Sequence, residues 1–367
     1  MDNSFNVFKK EYIQYKYTDK TNKDVVLLNE LDSSIQSNLT LHNYQYFVRN
    51  FLNPNTPYKR LFMKWETGTG KTIGSLSIAM QFIKYYKLQD ERGDQQIGSI
   101  FVIGFSEDLF KKELLRHPEF HFISEKEKAL LEKYKKSASN GSPYEVQRYT
   151  EFLNLIRKRF SNRQGYGFFQ FIGYRAFLNR VLLNKDNTSI LNLSEDELSQ
   201  KIESNELILN DKIMEKLKNS LIIADEIHNT YNSIDKNNWG TILQMVLDKV
   251  ETLRFVALSA TPFNNSPTEI ISLLNILLPS GQKIKESDYF IGEIPKPGAL
   301  DKLKELCKGK FSFVRDTNVK YYPSKKFIGE TIPGISYLKF IRCPMSEFQY
   351  ATYEQIYEGV LSQDSLY

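Results

Sequence analysis

Leu61-Phe62-Met63-Lys64-Trp65-Glu66-Thr67-Gly68-Thr69-Gly70-Lys71-Thr72 is the stretch on which the reading of this chain turns. Leu61 to Lys64 has strand character, Gly68 and Gly70 interrupt it, and Ile73, Leu76, Met80 and Ile83 then recur at helical spacing, one apolar stripe suited to lie on a sheet. Strand, glycine-rich turn and helix in that order form the context that a phosphate-binding loop requires. Thr67, Gly68, Thr69 and Gly70 would curl backbone N–H groups around phosphate oxygens at the positive end of the following helix. Lys71 is then placed for the β and γ phosphates, and the Thr72 hydroxyl for Mg2+. The usual pattern opens on Gly where this chain has Trp65, a departure that would narrow the loop or set an indole near the nucleotide. The plainer alternative is a glycine-rich turn that happens to contain Lys-Thr.

A second stretch weighs against that alternative. Leu221-Ile222-Ile223-Ala224-Asp225-Glu226-Ile227-His228 is an apolar strand that ends in two adjacent carboxylates. Triphosphate hydrolysis needs one carboxylate near Mg2+ and another to orient or deprotonate the attacking water, and Asp225 and Glu226 suit those roles in that order. Acidic residues at a helix N-terminus are the alternative reading. Further strand candidates are Ile100 to Gly104, Phe168 to Ile172 and Phe255 to Leu258, each ending where polar or small residues begin. Short apolar runs alternating with helical segments predict an α/β fold with a parallel sheet, and ligands of such sheets sit beyond the carboxyl ends of the strands.

The chain has 367 residues, 41% of them hydrophobic, enough for a sizeable core. Its 49 basic and 44 acidic residues leave a net charge of +5, which by itself says little about nucleic acid. Cys307 and Cys343 alone exclude a disulfide framework and a cysteine-based zinc site, and the N-terminus has no secretory pattern, so a reducing compartment is expected. No apolar run approaches the roughly 18 residues of a membrane span. The expected division is an N-terminal extension at 1–40, an ATP-binding domain at 41–280 with helical insertions at 121–165 and 185–219, and a linker with the start of a second lobe at 281–367.

The wider set of motifs resembles superfamily 2 DExH helicases. Asp225-Glu226-Ile227-His228 is similar to their DExH box, and Ser259-Ala260-Thr261 to the triplet that couples nucleotide state to nucleic-acid contact. Leu258 to Asn265 and Ser272 to Pro279 resemble the Snf2-type branch, which translocates on DNA. Leu41-His42-Asn43-Tyr44-Gln45 is similar to the motif whose glutamine contacts adenine, which implies Tyr44 and Gln45 at the base and a preference for ATP. Together the phosphate loop and Asp225 to Asn229 look most like the helicase-like transcription proteins of large cytoplasmic DNA viruses: the poxvirus early transcription factor small subunit, the poxvirus nucleoside triphosphatase and counterparts in African swine fever virus.

That resemblance implies a RecA-like first lobe, with ATP and Mg2+ as ligands. Lys71, Asp225, Glu226 and His228 would be the catalytic set, and Thr72 and Asp225 the metal ligands. It further implies a nucleic-acid partner, DNA in the first instance, contacts with a viral RNA polymerase or early transcription factor, no membrane, and a place in the host cytoplasm and the virion. Ser106 and Lys111 occupy the position of a loop that touches the nucleic-acid backbone; Tyr174 and Arg175 occupy the next, with a solvated surface as the alternative for each. An ATP-switched interaction subunit is the alternative to a motor. After Pro279 no Gln-x-x-Gly-Arg-x-x-Arg motif is found, so weak turnover by this chain alone is expected.

Weaker signals have plain readings. Lysines and arginines between Lys126 and Arg163 interleave with Tyr134, Tyr144, Tyr149 and Phe160, but the glutamates among them favour a solvated helical pair over a backbone-binding face. His117 and His121 have metal-like spacing, broken by Pro118 and lacking a third ligand. Gly165-Tyr166-Gly167 reads as a turn.

Overall fold

The apolar strands are runs rather than alternations, the pattern of strands covered on both faces, and the chain builds that arrangement. The computed structural model describes Val26–Leu27 and residues 39–364, apart from 95, 105–106, 140, 142, 164–166, 186–194, 232–238, 264, 315–328, 333–334 and 342. Two compact units are present, Met1–Arg315 and Asp316–Tyr367.

The first unit holds a six-stranded parallel sheet of β1 (Arg60–Trp65), β2 (Ile100–Ile103), β3 (Phe169–Ile172), β4 (Leu221–Asp225), β5 (Arg254–Ser259) and β6 (Phe311–Val314), in the spatial order β6-β1-β5-β4-β2-β3. This is the RecA-like helicase-lobe fold. Successive side chains point to opposite faces, so Leu61, Met63 and Trp65 of β1 join one buried cluster while Phe62 joins the other. Ile223 and Val256 likewise face the first cluster, and Ile222, Ala224 and Phe255 the second.

Two helices lie against the phosphate-loop side of the sheet. Helix α1 (Asn43–Phe51) packs on α2 (Lys71–Glu91), so α2 is covered by a helix as well as by strands. Its buried set therefore exceeds the single stripe: Leu76, Met80 and Ile83 are inside, and so are Ser75, Ile78, Ala79, Phe82 and Tyr86, while Ile73 is only half-buried. Arg60, at the start of β1, ties the far end of the sheet to its helices. Its guanidinium donates to the carbonyls of Ile276 (3.0 Å), Leu278 (2.6 Å) and Leu247 (2.9 Å) and pairs with Asp248 at 2.9 Å.

The first insertion is a helical pair, Glu125–Ser139 and Pro143–Arg157, and no residue of the first of these helices is buried. It is anchored where Arg159 forms two bonds to the Glu127 carboxylate, at 2.6 and 3.1 Å. Arg148 lies over the Tyr134 ring at 4.6 Å, a contact within the pair. In the second insertion, helix Glu195–Glu203 is followed by Leu207–Leu209, which pairs antiparallel with Leu182–Asn184. Most of the N-terminal extension, and Gly165 and Tyr166 of the expected turn, lie outside the described residues.

The sheet does not stop at the expected boundary near 280. Phe311–Val314 returns to pair with β1 in register Phe311↔Phe62 to Val314↔Trp65, so residues expected to belong to a linker complete the first unit. In the second unit, strands Glu330–Ile332 and Ile335–Phe340 form an antiparallel pair, and helix Glu347–Asp364 follows.

Candidate nucleotide site

Sheet register brings the sequence motifs to one edge. Lys64 of β1 is paired with Ser259 of β5, and Leu258 of β5 with Asp225 of β4. With neighbouring strands about 4.8 Å apart, the phosphate loop, the Ser-Ala-Thr triplet and the acidic pair leave the sheet side by side.

The loop backbone is shaped by Gly68 (φ 87°) and Gly70 (φ 79°), both in the left-handed region that side chains disfavour. A Cβ on Gly70 would also collide with the Gln45 amide. Helix α1 grips the loop from one side: Tyr44 donates its hydroxyl to the Thr69 carbonyl (2.9 Å) and Gln45 its amide to the Gly70 carbonyl (3.1 Å). The Gln45 oxygen accepts from the His42 N–H at 2.9 Å, and the side chain is only 3% exposed. This amide thus ties the loop, through Gly70, to the start of α1, through His42, a duty that the resemblance to an adenine-reading glutamine does not convey.

Trp65, expected to narrow the loop or to set an indole near the nucleotide, turns its ring into the core. It is fully buried, with its edge against Tyr44 (4.9 Å between ring centroids) and its N–H donating to Ser312 Oγ of β6 at 2.9 Å. Room for the ring comes from Gly74 on α2, where a Cβ would sit 2.7 Å from the indole. As the last residue of β1, its side chain follows the strand alternation inward beneath the loop.

Lys71 donates to the Trp65 carbonyl at 3.0 Å. Partial burial pulls its pKa below the ordinary value, and the charges of Glu226 and Asp225 oppose that shift. The ammonium therefore shares one electrostatic neighbourhood with the acidic pair, although the loop and the pair are far apart in sequence. Thr72 stands on the first turn of α2, half-buried.

Asp225 closes β4 and is buried, and its carbonyl accepts from the Tyr174 hydroxyl at 2.8 Å. Tyr174 is itself buried and stacks on Trp239 at 5.6 Å. That places it inside the site's support, too deep to reach a nucleic-acid backbone, because its ring fills the core under helix Tyr174–Val181. Gly104, legible in sequence only as the end of a strand candidate, sits beside Asp225 at φ 151°. A Cβ there would lie 3.0 Å from the Asp225 carbonyl oxygen and 3.2 Å from its Cβ. A glycine directly after an apolar run was the only sequence signal for it.

Glu226 turns out of the strand in a left-handed conformation, φ 50° and ψ 52°. Its Oε2 lies 3.2 Å from His228 Nδ1 and 3.5 Å from the donating Ser259 hydroxyl. His228 Nδ1 and Ser259 Oγ are 2.9 Å apart, and Ser259 Oγ accepts from the Thr261 N–H at 3.1 Å. The DExH and Ser-Ala-Thr motifs are thus one bonded cluster. The hydrogen bond from His228 holds Glu226 below the usual carboxylate range, against burial, which pushes the other way. His228, expected in the catalytic set, turns Nδ1 to the protein groups Glu226 and Ser259. Ala260 is half-buried and Thr261 exposed.

The expected nucleic-acid contacts fare differently. Ser106 lies outside the described residues. Lys111 pairs with Glu107 on its own helix and lies over the Phe171 ring at 5.0 Å, so its ammonium is committed within the protein. His117 faces Glu113 (3.3 Å) and Glu119 (4.0 Å), and no group of three or more metal-ligating side chains is found among the described residues. Among those residues, no helix is long and apolar enough to cross a membrane.

Residues 38–264, well over half of the chain, match the family model described as the type III restriction enzyme res subunit. The chain is 39% identical over 361 residues to the early transcription factor large subunit homolog of African swine fever virus (isolate Pig/Kenya/KEN-50/1950), covering 87% of this chain and 31% of that protein. It is 29% identical over 334 residues to a protein of Acanthamoeba polyphaga mimivirus named as an ATP-dependent RNA helicase, covering 89% of this chain and 27% of that one. The chain therefore spans less than a third of either relative. Among solved structures, the Hef helicase domain of Pyrococcus furiosus aligns with 64% of this chain and 35% of its own, at 13% identity and a TM-score of 0.29. The chain belongs to the type III restriction enzyme res-subunit family of helicase-type domains.

Proposed function

We propose that this chain forms the ATP-binding lobe of a nucleic-acid-dependent ATPase, a helicase or DNA translocase that serves viral transcription. The observation that carries the reading is the shared neighbourhood of Lys71, Asp225 and Glu226 at the carboxyl edge of the sheet, with Ser259 on the strand between them. Backbone N–H groups from Gly68 to Lys71 would cradle the β and γ phosphates, and the Lys71 ammonium would neutralise their charge. The chemistry of the donors also fits Mg2+: the Thr72 hydroxyl and the buried Asp225 carboxylate are hard oxygen ligands, and the ion would offset phosphate charge there. Glu226, kept ionised by His228, would orient and deprotonate the attacking water. Ser259 joins that carboxylate to the Thr261 backbone, which gives a path by which the state of the γ phosphate reaches the triplet.

The similarity to early transcription factor homologs supports DNA as the nucleic acid and a viral RNA polymerase or early transcription factor as the protein partner. It also supports a setting in the infected cell's cytoplasm, and the virion belongs to the same proposal. The relatives' name also supports a second reading, an interaction subunit switched by ATP binding without strand unwinding. Lys71→Ala is expected to abolish ATP·Mg2+ binding in an equilibrium titration while the far-UV circular dichroism is unchanged; wild-type affinity in that variant would refute the assigned loop. Phosphate release stimulated by DNA separates the motor from the switch.

A further inference from the structure

The Trp65–Glu66 peptide has unusual neighbours on both sides. Its carbonyl accepts from Lys71 Nζ at 3.0 Å, and its N–H, that of Glu66, donates to the Val314 carbonyl of β6 at 3.2 Å. A peptide group is planar and resists twisting, so the orientation that serves Lys71 is set jointly with the bond to β6. The Trp65 side chain ties the same residue to β6 a second time, through the Ser312 hydroxyl two residues earlier on that strand. Its ring also meets Tyr44, whose hydroxyl holds the Thr69 carbonyl on the far side of the loop. Trp65 is therefore the one loop-flanking side chain described here that touches both braces, α1 and β6.

Resting on the nucleotide-site reading above, we propose that Trp65, pinned by Ser312, is a positioning residue for triphosphate binding. It orients its own carbonyl so that the Lys71 ammonium is held at the mouth of the loop, and it makes β6 part of the site's support. A glycine or alanine at this position would keep the backbone pairing with β6 but could not reach the Ser312 hydroxyl. The bulk of the indole is matched by Gly74, where any side chain would strike it. Because a phosphate must share or take over the ammonium that the Trp65 carbonyl now accepts from, nucleotide binding is felt at this peptide and, through it, at Val314.

The test uses the whole 367-residue chain. Ser312→Ala and Trp65→Phe each delete the same hydrogen bond and leave every loop donor intact. Each is expected to weaken ATP·Mg2+ binding by about three- to tenfold, and the double variant by no more than the stronger single one. Ser312→Thr keeps the hydroxyl and should restore most of the affinity. The chain has two tryptophans, Trp65 and Trp239. In a Trp239→Phe background, emission from Trp65 should shift on saturation with ATP·Mg2+, and the shift should shrink with Ser312→Ala. A loss of thermal stability alone would not produce that pattern. Wild-type affinity in Ser312→Ala, or additive losses in the pair, would overturn the positioning role while leaving the nucleotide site standing. Should Trp65→Phe fail to fold, the Ser312 variants and the emission shift decide. A folded wild-type chain that binds no ATP would instead remove the functional reading on which the proposal rests.

Discussion

Glu226 adopts its left-handed conformation without being glycine, at a cost of roughly 1–2 kcal/mol. Such strain persists where surrounding bonds over-determine it, and here His228, Ser259 and Asn229 supply them; the Asn229 amide donates to the Glu226 carbonyl at 3.0 Å. Glu226→Gln should leave ATP affinity within a few-fold of wild type and lower hydrolysis by about 10²- to 10⁴-fold, since it removes only the general base. The pKa logic is independent of turnover. His228 is the largest influence holding the carboxylate down and burial the main one lifting it, so His228→Ala should move the Glu226 titration to higher pH, readable by carbon-13 NMR of the side chain. An unmoved midpoint would remove His228 from that role. Gly104→Ala tests the floor beneath Asp225. The new Cβ would press on Asp225 from 3.0 Å at a backbone angle that alanine disfavours, so weaker Mg2+-dependent ATP binding is expected, with about 1–3 kcal/mol of lost stability.

At the scale of elements, the apolar runs were the legible part. Leu61–Lys64 became Arg60–Trp65, Leu221–Ala224 became Leu221–Asp225, and Phe255–Leu258 became Arg254–Ser259, because strands covered on both faces stand out as continuous apolar runs between polar flanks. The place of Phe311–Val314 was not legible. Its pairing with β1 spans some 250 residues of chain, and nothing local in Phe-Ser-Phe-Val names a partner. The same limit hid the inward turn of Trp65, which depends on Ser312 and Gly74. Arg60 shows how a single long-range cation joins elements. Arg60→Ala leaves the carbonyls of Ile276, Leu278 and Leu247 without this donor, and a loss of about 3 kcal/mol is expected in urea unfolding. The helical insertion should carry a pH signature of its own. Arg159 holds Glu127 down to about 2, so the pair stabilises above the unfolded carboxylate value near 4.5 and that contribution is lost as pH falls toward 2. Glu127→Gln should therefore destabilise the chain at neutral pH and make little difference at pH 2, as followed by thermal unfolding.

For the whole molecule, the site is an assembly of strand ends that only the parallel sheet brings together. Composition and net charge said almost nothing of this, and the motifs said it only through the context of strand, turn and helix. Where the nucleic acid runs was not legible: Lys111 is taken up by Glu107 and Phe171, and Tyr174 by Asp225. The relatives extend over lengths of which this chain is less than a third, so a transition-state arginine contributed from outside these residues fits the proposed motor. With such an arginine typically worth 10³- to 10⁵-fold, the 367-residue chain should bind ATP·Mg2+ yet turn it over slowly, as a phosphate-release assay would report. The most direct measurement is a crystal structure of the chain with Mg2+ and a non-hydrolysable ATP analogue. The account predicts the β and γ phosphates against the N–H groups of Gly68 to Lys71, with the ion between the Thr72 hydroxyl and Asp225. A nucleotide bound elsewhere, or one whose γ phosphate lies away from Asp225 and Glu226, would contradict it.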